Sequence, residues 1–382
     1  MKYMVIAGEA SGDLHAGELI KSIRLNDPAA EFLFFGGEQM ALAASREPLL
    51  HYREMAFMGF SEVLRNLNKI SANLRLARET LKNEKPDALI LVDYPSFNLK
   101  VAKTAHSLGI PCYWYISPKL WAWKAWRIKA IRKLIRKVLC ILPFEPKWYA
   151  EHDYKEAVYV GNPTVAELTR ALAAAPSREE FLAKHRLRNR PLLALLPGSR
   201  HGEIRCNLPV MDAVARQFPQ YTIVVAGAPN IPDEFYRNLS KFAVIKDDTH
   251  NLLAHSHATL VTSGTATLEA AVARVPQVVM YRSNGSKISY NLMKSLLHVK
   301  FVSLPNLIAD RQVVPEMLLH ECTPEAVIEK LRLLTPENSP VRLQMLKDYD
   351  DVSKILGNTN LPGETSAADA ALTIISDLSL VN

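Results

Sequence analysis

At 382 residues, with 48% hydrophobic and 22% charged residues, the chain has the composition of a two-domain globular enzyme, which excludes a disordered, fibrous or disulfide-stapled protein. Four widely separated cysteines lack the close spacing of a zinc or redox motif and read as reduced cytosolic thiols. The net charge of +7 is local: Tyr94 to Phe144 holds ten Lys and Arg and no Asp or Glu, which leaves −3 for the rest, so one region is expected to meet an anionic surface or ligand.

In chain order, Tyr3 to Ala7 reads as a strand entered without a cationic leader. No apolar run approaches the roughly 18 residues of a membrane span. A cytoplasmic protein with only peripheral membrane contact is therefore expected. Further strands are predicted at Phe32 to Phe35, Ala88 to Val92, Cys112 to Ile116, Val138 to Leu142 and Val158 to Val160, alternating with helices as in βαβ units. Between the second and third, Val63, Leu67, Ile70, Leu74, Ala77 and Leu81 have helical spacing and form one sheet-packing face. The first domain is placed at 1–163 and a short helical linker at 164–190. The alternation resumes in a second domain at 191–360, with strands at Leu192 to Leu196, Thr222 to Ala226, Ala243 to Ile245, Thr259 to Thr262 and Gln277 to Tyr281. Beyond Pro315 the pattern reads as helical to the end, with 361–382 a closing helix. The predicted fold is α/β, two Rossmann-like domains facing a cleft, with C-terminal helices.

Several motifs follow strands. Gly8 to Asp13 is a turn into a helix that reads either as a ligand cradle, through Glu9, Ser11 and Gly12, or as a plain tight turn. Asp93, at the tip of an apolar strand, is placed to take a proton from an acceptor hydroxyl, or else begins a turn. Ser199 and Arg200, with Glu203 close by, suit a diphosphate, the alternative being a surface Arg200–Glu203 pair. Ser263, Gly264 and Thr265 open a helix that presents Glu269, an arrangement for phosphate and ribose or simply a helix cap. Arg200 and the Ser263 turn are expected in one crevice, favouring a nucleotide diphosphate. The five tryptophans lie between Trp114 and Trp148. Trp121, Trp123 and Trp126, with Lys129, Arg132 and Lys133 on a helix from Arg127 to Val138, read as a membrane or lipid contact, or else the helix packs on a sheet with a solvated basic face. Asp348-Tyr349-Asp350 reads as a charged helix face, and His255 and His257 as structural. No metal ligand set is assigned.

Taken together, GEASGD (Gly8 to Asp13), Met58 to Glu62, Asp93 to Asn98, SPKLWAW (Ser117 to Trp123), LPFE (Leu142 to Glu145), LPGSR (Leu196 to Arg200), Ser263 to Glu269 and SLPN (Ser303 to Asn306) resemble the lipid-A-disaccharide synthases over nearly the whole chain. That resemblance implies the GT-B glycosyltransferase fold. It implies inverting transfer of 2,3-diacylglucosamine from UDP to the 6-hydroxyl of 2,3-diacylglucosamine 1-phosphate, without a metal or other cofactor. Asp93 becomes the general base, Arg200 the diphosphate ligand, Glu269 a ribose ligand and Asn306 a further donor contact. The implied partners are the UDP-diacylglucosamine donor, the phosphorylated glycolipid acceptor, an anionic inner-membrane surface and a second copy of the chain in an intertwined homodimer. Ser96 and Asn162 depart from the family, which commonly has an acid and a His there. The rival readings are another UDP-sugar enzyme of GT-B type, such as an epimerase, and a nucleic-acid-binding protein, for which the chain shows no module.

Overall fold

The computed structural model describes residues 1–55, 66–122, 124–282, 300–357 and 366–380. They form two compact units, one of residues 1–163 with 359–382, the other of residues 164–358.

The first unit contains β1 (Lys2–Ala7), β2 (Glu31–Gly36), β3 (Leu50–His51), β4 (Ala88–Val92), β5 (Cys112–Tyr115), β6 (Lys137–Cys140) and β7 (Ala157–Tyr159), in a parallel sheet of order β3-β2-β1-β4-β5-β6-β7. Because strand side chains alternate and both faces are covered, the strands read as continuous apolar runs. Met4, Ile6, Leu89, Leu91 and Trp114 pack on one face; Tyr3, Val5, Ile90, Val92 and Tyr115 pack on the other, under Ala370, Ala371, Ile374 and Leu378 of the helix Ser366–Ser379. The periodic helix is Leu67–Glu84, with Leu74, Ala77 and Leu81 buried; Val63 and the Met58 to Glu62 motif lie outside the described residues.

The second unit holds β8 (Leu192–Leu196), β9 (Thr222–Gly227), β10 (Ala243–Lys246), β11 (Ser256–Thr262), β12 (Gln277–Tyr281) and β13 (Glu316–Leu318), again parallel, in the order β10-β9-β8-β11-β12-β13. β13 corrects the expectation of helix alone beyond Pro315: three residues pair with Val279 to Tyr281, a strand too short to show a period. Residues 164–190, expected as a linker, carry the helix Arg178–Lys184 and most of Pro163–Ala173. The guanidinium of Arg178 donates to the carbonyls of His255 and Arg190, which ties this stretch to the second unit.

In both sheets the chain runs outward one way, then returns to build the other half. The reversals fall between β1 and β4, and between β8 and β11. Such switch points leave a crevice at the carboxyl ends of the two central strands, where parallel α/β sheets bind ligands.

Candidate active site

In the first unit the turn after β1 and Asp93 after β4 leave adjacent strands, with Ala7 opposite Val92. Glu9 precedes the helix Ala10–Asn26, and Ser11 Oγ donates to Glu9 Oε1 at 2.9 Å. Gly8 is required sterically, since a Cβ there would lie 2.4 Å from the ring of Tyr94. Gly12 is buried against Ala7. Asp13 is 2% exposed and accepts from the backbone N–H groups of Gly37, Gln39 and Met40 at 2.6, 3.0 and 3.2 Å. The last residue of this motif is therefore a structural pin between two βα turns. Asp13→Ala would strand three donors, and a loss of about 3 kcal/mol in denaturant unfolding is expected, with Asp13→Asn losing less.

Asp93 and Tyr94 both adopt the left-handed backbone region, with φ of 43° and 47°. Two consecutive non-glycine residues there are strained, and such strain persists where surrounding structure enforces it. The enforcing contacts are visible: Asn98 Nδ2 donates to the Asp93 carbonyl at 2.7 Å, and Tyr94 Oη donates to the Met55 carbonyl at 2.6 Å. Burial and then the charge of Glu9 push the Asp93 carboxyl up to about 6, against the opposing pull of Lys119 and the Tyr94 backbone N–H. A carboxylate poised near neutrality at a switch point is suited to general-base work. At the departure positions, Ser96 Oγ accepts from Arg127 Nη2 at 3.1 Å, and Asn162 Nδ2 donates to the Ile141 carbonyl at 3.1 Å.

In the second unit β8 and β11 are neighbours, so Ser199–Arg200 and Ser263–Thr265 emerge beside each other. Gly198 has φ of 108°, and a Cβ would lie 2.7 Å from Glu203 Oε2. Glu203 accepts from Ser199 N at 3.2 Å and from Arg200 Nη1 at 2.9 Å, while the Arg200 side chain is 73% exposed. The Ser263 hydroxyl is held by the Val302 carbonyl at 2.8 Å. Gly264, at φ 149° and open on its Cβ side, precedes the helix Thr265–Val272, with Thr265 exposed. The Glu269 carboxylate has no hydrogen bond or ion pair among the described residues, and burial pushes it above the usual range. An unpaired, partly desolvated carboxylate one turn into that helix is suited to accept hydroxyl donors.

Asn306 is fully buried and its amide is saturated. Nδ2 donates to Val314 O and Glu316 Oε1, and Oδ1 accepts from Val313 N and Val314 N. No polar atom is left for direct ligand contact, which corrects the expectation for this residue. Glu316 of β13, missed in the sequence, also accepts from Val302 N, Ser303 N and Ser303 Oγ. It thereby fixes the turn that holds Ser263; only the unrecognised strand would have pointed to it.

A family model described as lipid-A-disaccharide synthetase matches residues 3–362. The chain belongs to that family. The lipid-A-disaccharide synthase of Myxococcus xanthus is 39% identical over 386 residues, covering 98% of this chain and 97% of the relative, and that of Solibacter usitatus is 35% identical over 376 residues, covering 96% of each. The chain is thus an enzyme of a hexosyl-transferring glycosyltransferase family. Its fold is similar to the UDP-GlcNAc 2-epimerase of Neisseria meningitidis bound to UDP-GlcNAc, at TM-score 0.63 and 12% identity over 100% of both chains. It is also similar to the calicheamicin glycosyltransferase CalG4, at TM-score 0.59 and 15% identity over 99% of this chain and 98% of that one.

In this family member the tryptophan-rich block is divided. Trp121 is only 8% exposed, donates to Glu145 and meets Phe144 edge to face at 5.0 Å. It is therefore a core residue and not a lipid anchor. Trp114 is fully buried, Trp148 stacks on His152 at 4.1 Å, and Trp123 lies outside the described residues. Trp126 is 68% exposed beneath the Arg127 guanidinium. The basic helix is shorter than expected, Ile128–Leu134, because Lys137 and Val138 belong to β6. Arg136 pairs with Asp377 of the last helix, and Lys137 with Glu156 at 2.9 Å and with Asp377 at 3.4 Å. Lys129, Arg132 and Lys133 are exposed, with Arg132 paired to Asp153 at 3.4 Å. Asp348 and Asp350 pair with Arg311 and Arg274, and His255 and His257 bind backbone carbonyls, so neither group is part of the site. Among the described residues no cluster could hold a metal ion.

Proposed function

We propose that the chain transfers 2,3-diacylglucosamine from UDP to the 6-hydroxyl of 2,3-diacylglucosamine 1-phosphate with inversion, giving a β-1,6-linked disaccharide 1-phosphate and UDP. The strained, partly buried Asp93 carboxylate at the switch point of the first sheet carries this reading. Asp93 takes the hydroxyl proton as that oxygen bonds to the anomeric carbon, and the bond from that carbon to the diphosphate breaks, with its electron pair leaving on UDP. Arg200 and the backbone N–H groups at the start of Thr265–Val272 receive the growing negative charge. Glu269 takes the ribose hydroxyls, Ser199 and Ser263 border the diphosphate, and Asn306 acts by holding the Ser303 turn. Glu9, Ser11 and Gly12 border the acceptor side of Asp93.

Purified protein given both glycolipids in detergent should form disaccharide and release UDP, with EDTA leaving turnover intact because protein cations meet the leaving charge. No disaccharide from well-dispersed substrates would overturn the reading.

The substrates are lipids, and no described helix is long and apolar enough to cross a membrane. Peripheral binding to the inner membrane is proposed through Trp126, Lys129, Arg132 and Lys133. Trp126→Ala should weaken sedimentation with anionic vesicles about fivefold, roughly 1 kcal/mol of lost apolar burial, while folding stays intact. Unchanged sedimentation would remove Trp126 from the contact. The homodimer implied by the family belongs to the same reading and is checked by light scattering.

A further inference from the structure

The strongest feature outside these roles is Glu145, the last residue of the LPFE motif. It is 1% exposed, and four donors from two loops converge on its carboxylate. Oε1 accepts from Ser117 Oγ at 2.9 Å and Trp121 Nε1 at 3.0 Å. Oε2 accepts from the backbone N–H groups of Ile141 and Leu142 at 3.2 and 3.1 Å. Burying a carboxyl group this completely is costly unless its oxygens are satisfied, and burial pushes this carboxyl above its usual range while the Trp121, Leu142 and Ser117 donors and the Lys119 charge oppose that.

The bonds have a geometric consequence. Ser117 to Trp121 follows β5, and Ile141–Leu142 follows β6, the next strand of the sheet. Glu145 therefore clamps the end of the β5 loop to the end of β6. Of the three residues between the two clamped points, Pro118 and Leu120 are buried and Lys119 is exposed. β5 also neighbours β4, with Val92 opposite Tyr115 and Asp93 N donating to Tyr115 O. The clamped loop thus leaves the sheet beside Asp93. Lys119 exerts a cationic pull on both Asp93 and Glu145.

We propose that Glu145 is a positioning residue that acts through Lys119: by pinning Ser117 and Trp121 it holds the Lys119 ammonium toward Asp93 and keeps that carboxylate ionised. Among the described residues, the charged groups that act on Asp93 are Glu9 from the β1 turn and Lys119 from the β5 loop, with the titratable Tyr94 next to it on its own turn. Burial and Glu9 oppose ionisation and Lys119 favours it, so moving Lys119 shifts the balance. In Glu145→Gln one oxygen becomes an NH2 group. It must then face either Trp121 Nε1–H or two backbone N–H groups, none of which can accept, so the clamp opens on one side without a change in volume.

This inference builds on Asp93 as the base, and two readouts separate it from that reading. The first is the Asp93 carboxyl titration followed by NMR in the full chain labelled with 13C-aspartate, assigned through Asp93→Asn. The second is the pH profile of kcat/KM. Lys119→Ala is expected to move the Asp93 titration upward by about half a unit to one unit, the effect of losing one nearby charge. Glu145→Gln should move it in the same direction, and the double variant should move it no further than Lys119→Ala alone. If both titrations move and neither activity profile follows, the general-base reading fails and the positioning inference stands. If Glu145→Gln lowers the melting temperature but leaves the Asp93 titration at the wild-type position, Glu145 is structural only and the inference is overturned. Should Glu145→Gln not fold, Lys119→Ala and Ser117→Ala carry the test: an unshifted titration in both would overturn it equally.

Discussion

Replacing Asp93 by Asn is expected to lower kcat by about 10² to 10⁴-fold, the usual contribution of a positioned base, while calorimetric affinity for UDP stays at the wild-type value. Asn keeps the size and hydrogen-bonding reach of the side chain but cannot take the hydroxyl proton. The left-handed backbone at Asp93 and Tyr94 is enforced by Asn98, Met55 and the seat that Gly8 leaves for the Tyr94 ring, so the variant should retain the fold. With the Asp93 carboxyl held near 6 by burial and by Glu9, the sign of the pH dependence follows. The base form dominates above that value, so kcat/KM should be flat there and fall about tenfold per unit below it. A wild-type rate in Asp93→Asn would assign the proton transfer elsewhere.

Arg200→Ala should lower kcat by roughly 10² to 10³-fold, comparable with removing one donor from a site of developing negative charge. In the structure Arg200 is paired with Glu203, yet its side chain is largely exposed. An exposed pair of that kind contributes about 0 to 1 kcal/mol, so the guanidinium can move to a diphosphate at little cost. Glu203 also accepts from Ser199 N, and Gly198 leaves room for its carboxylate, so it acts as a holder of the turn. Arg200→Lys should recover only part of the loss, because an ammonium cannot offer the bidentate fork. Steady-state kinetics with the donor varied measures both. A rise in KM with kcat unchanged would place Arg200 in ground-state binding and not in stabilising the departing diphosphate.

Much of this protein was determined by its sequence. Strands buried on both faces read as nearly continuous apolar runs, so Ala88–Val92, Leu192–Leu196 and Gln277–Tyr281, apolar after its first residue, were legible to the residue. Parallel sheets bind ligands at the turns that follow such strands, and so the candidate residues Glu9, Asp93, Arg200 and Ser263 could be located before their neighbours were known. The tertiary structure decided what the polar side chains do once they are there. Asp13 and Asn306 sit within motifs as if to bind ligands, but backbone groups saturate them. Trp121 reads like an interfacial anchor until Glu145 takes its indole N–H. Arg136 and Lys137 read as part of a free basic face until Asp377, more than 200 residues later, pairs with Arg136, and Glu156 with Lys137. Strands of two or three residues, β3 and β13, contain too few side chains to display a period. Apolar burial repeats along the chain and is visible in one dimension; the partner of a polar group is set by which strands the sheet makes neighbours, and only the folded chain specifies that.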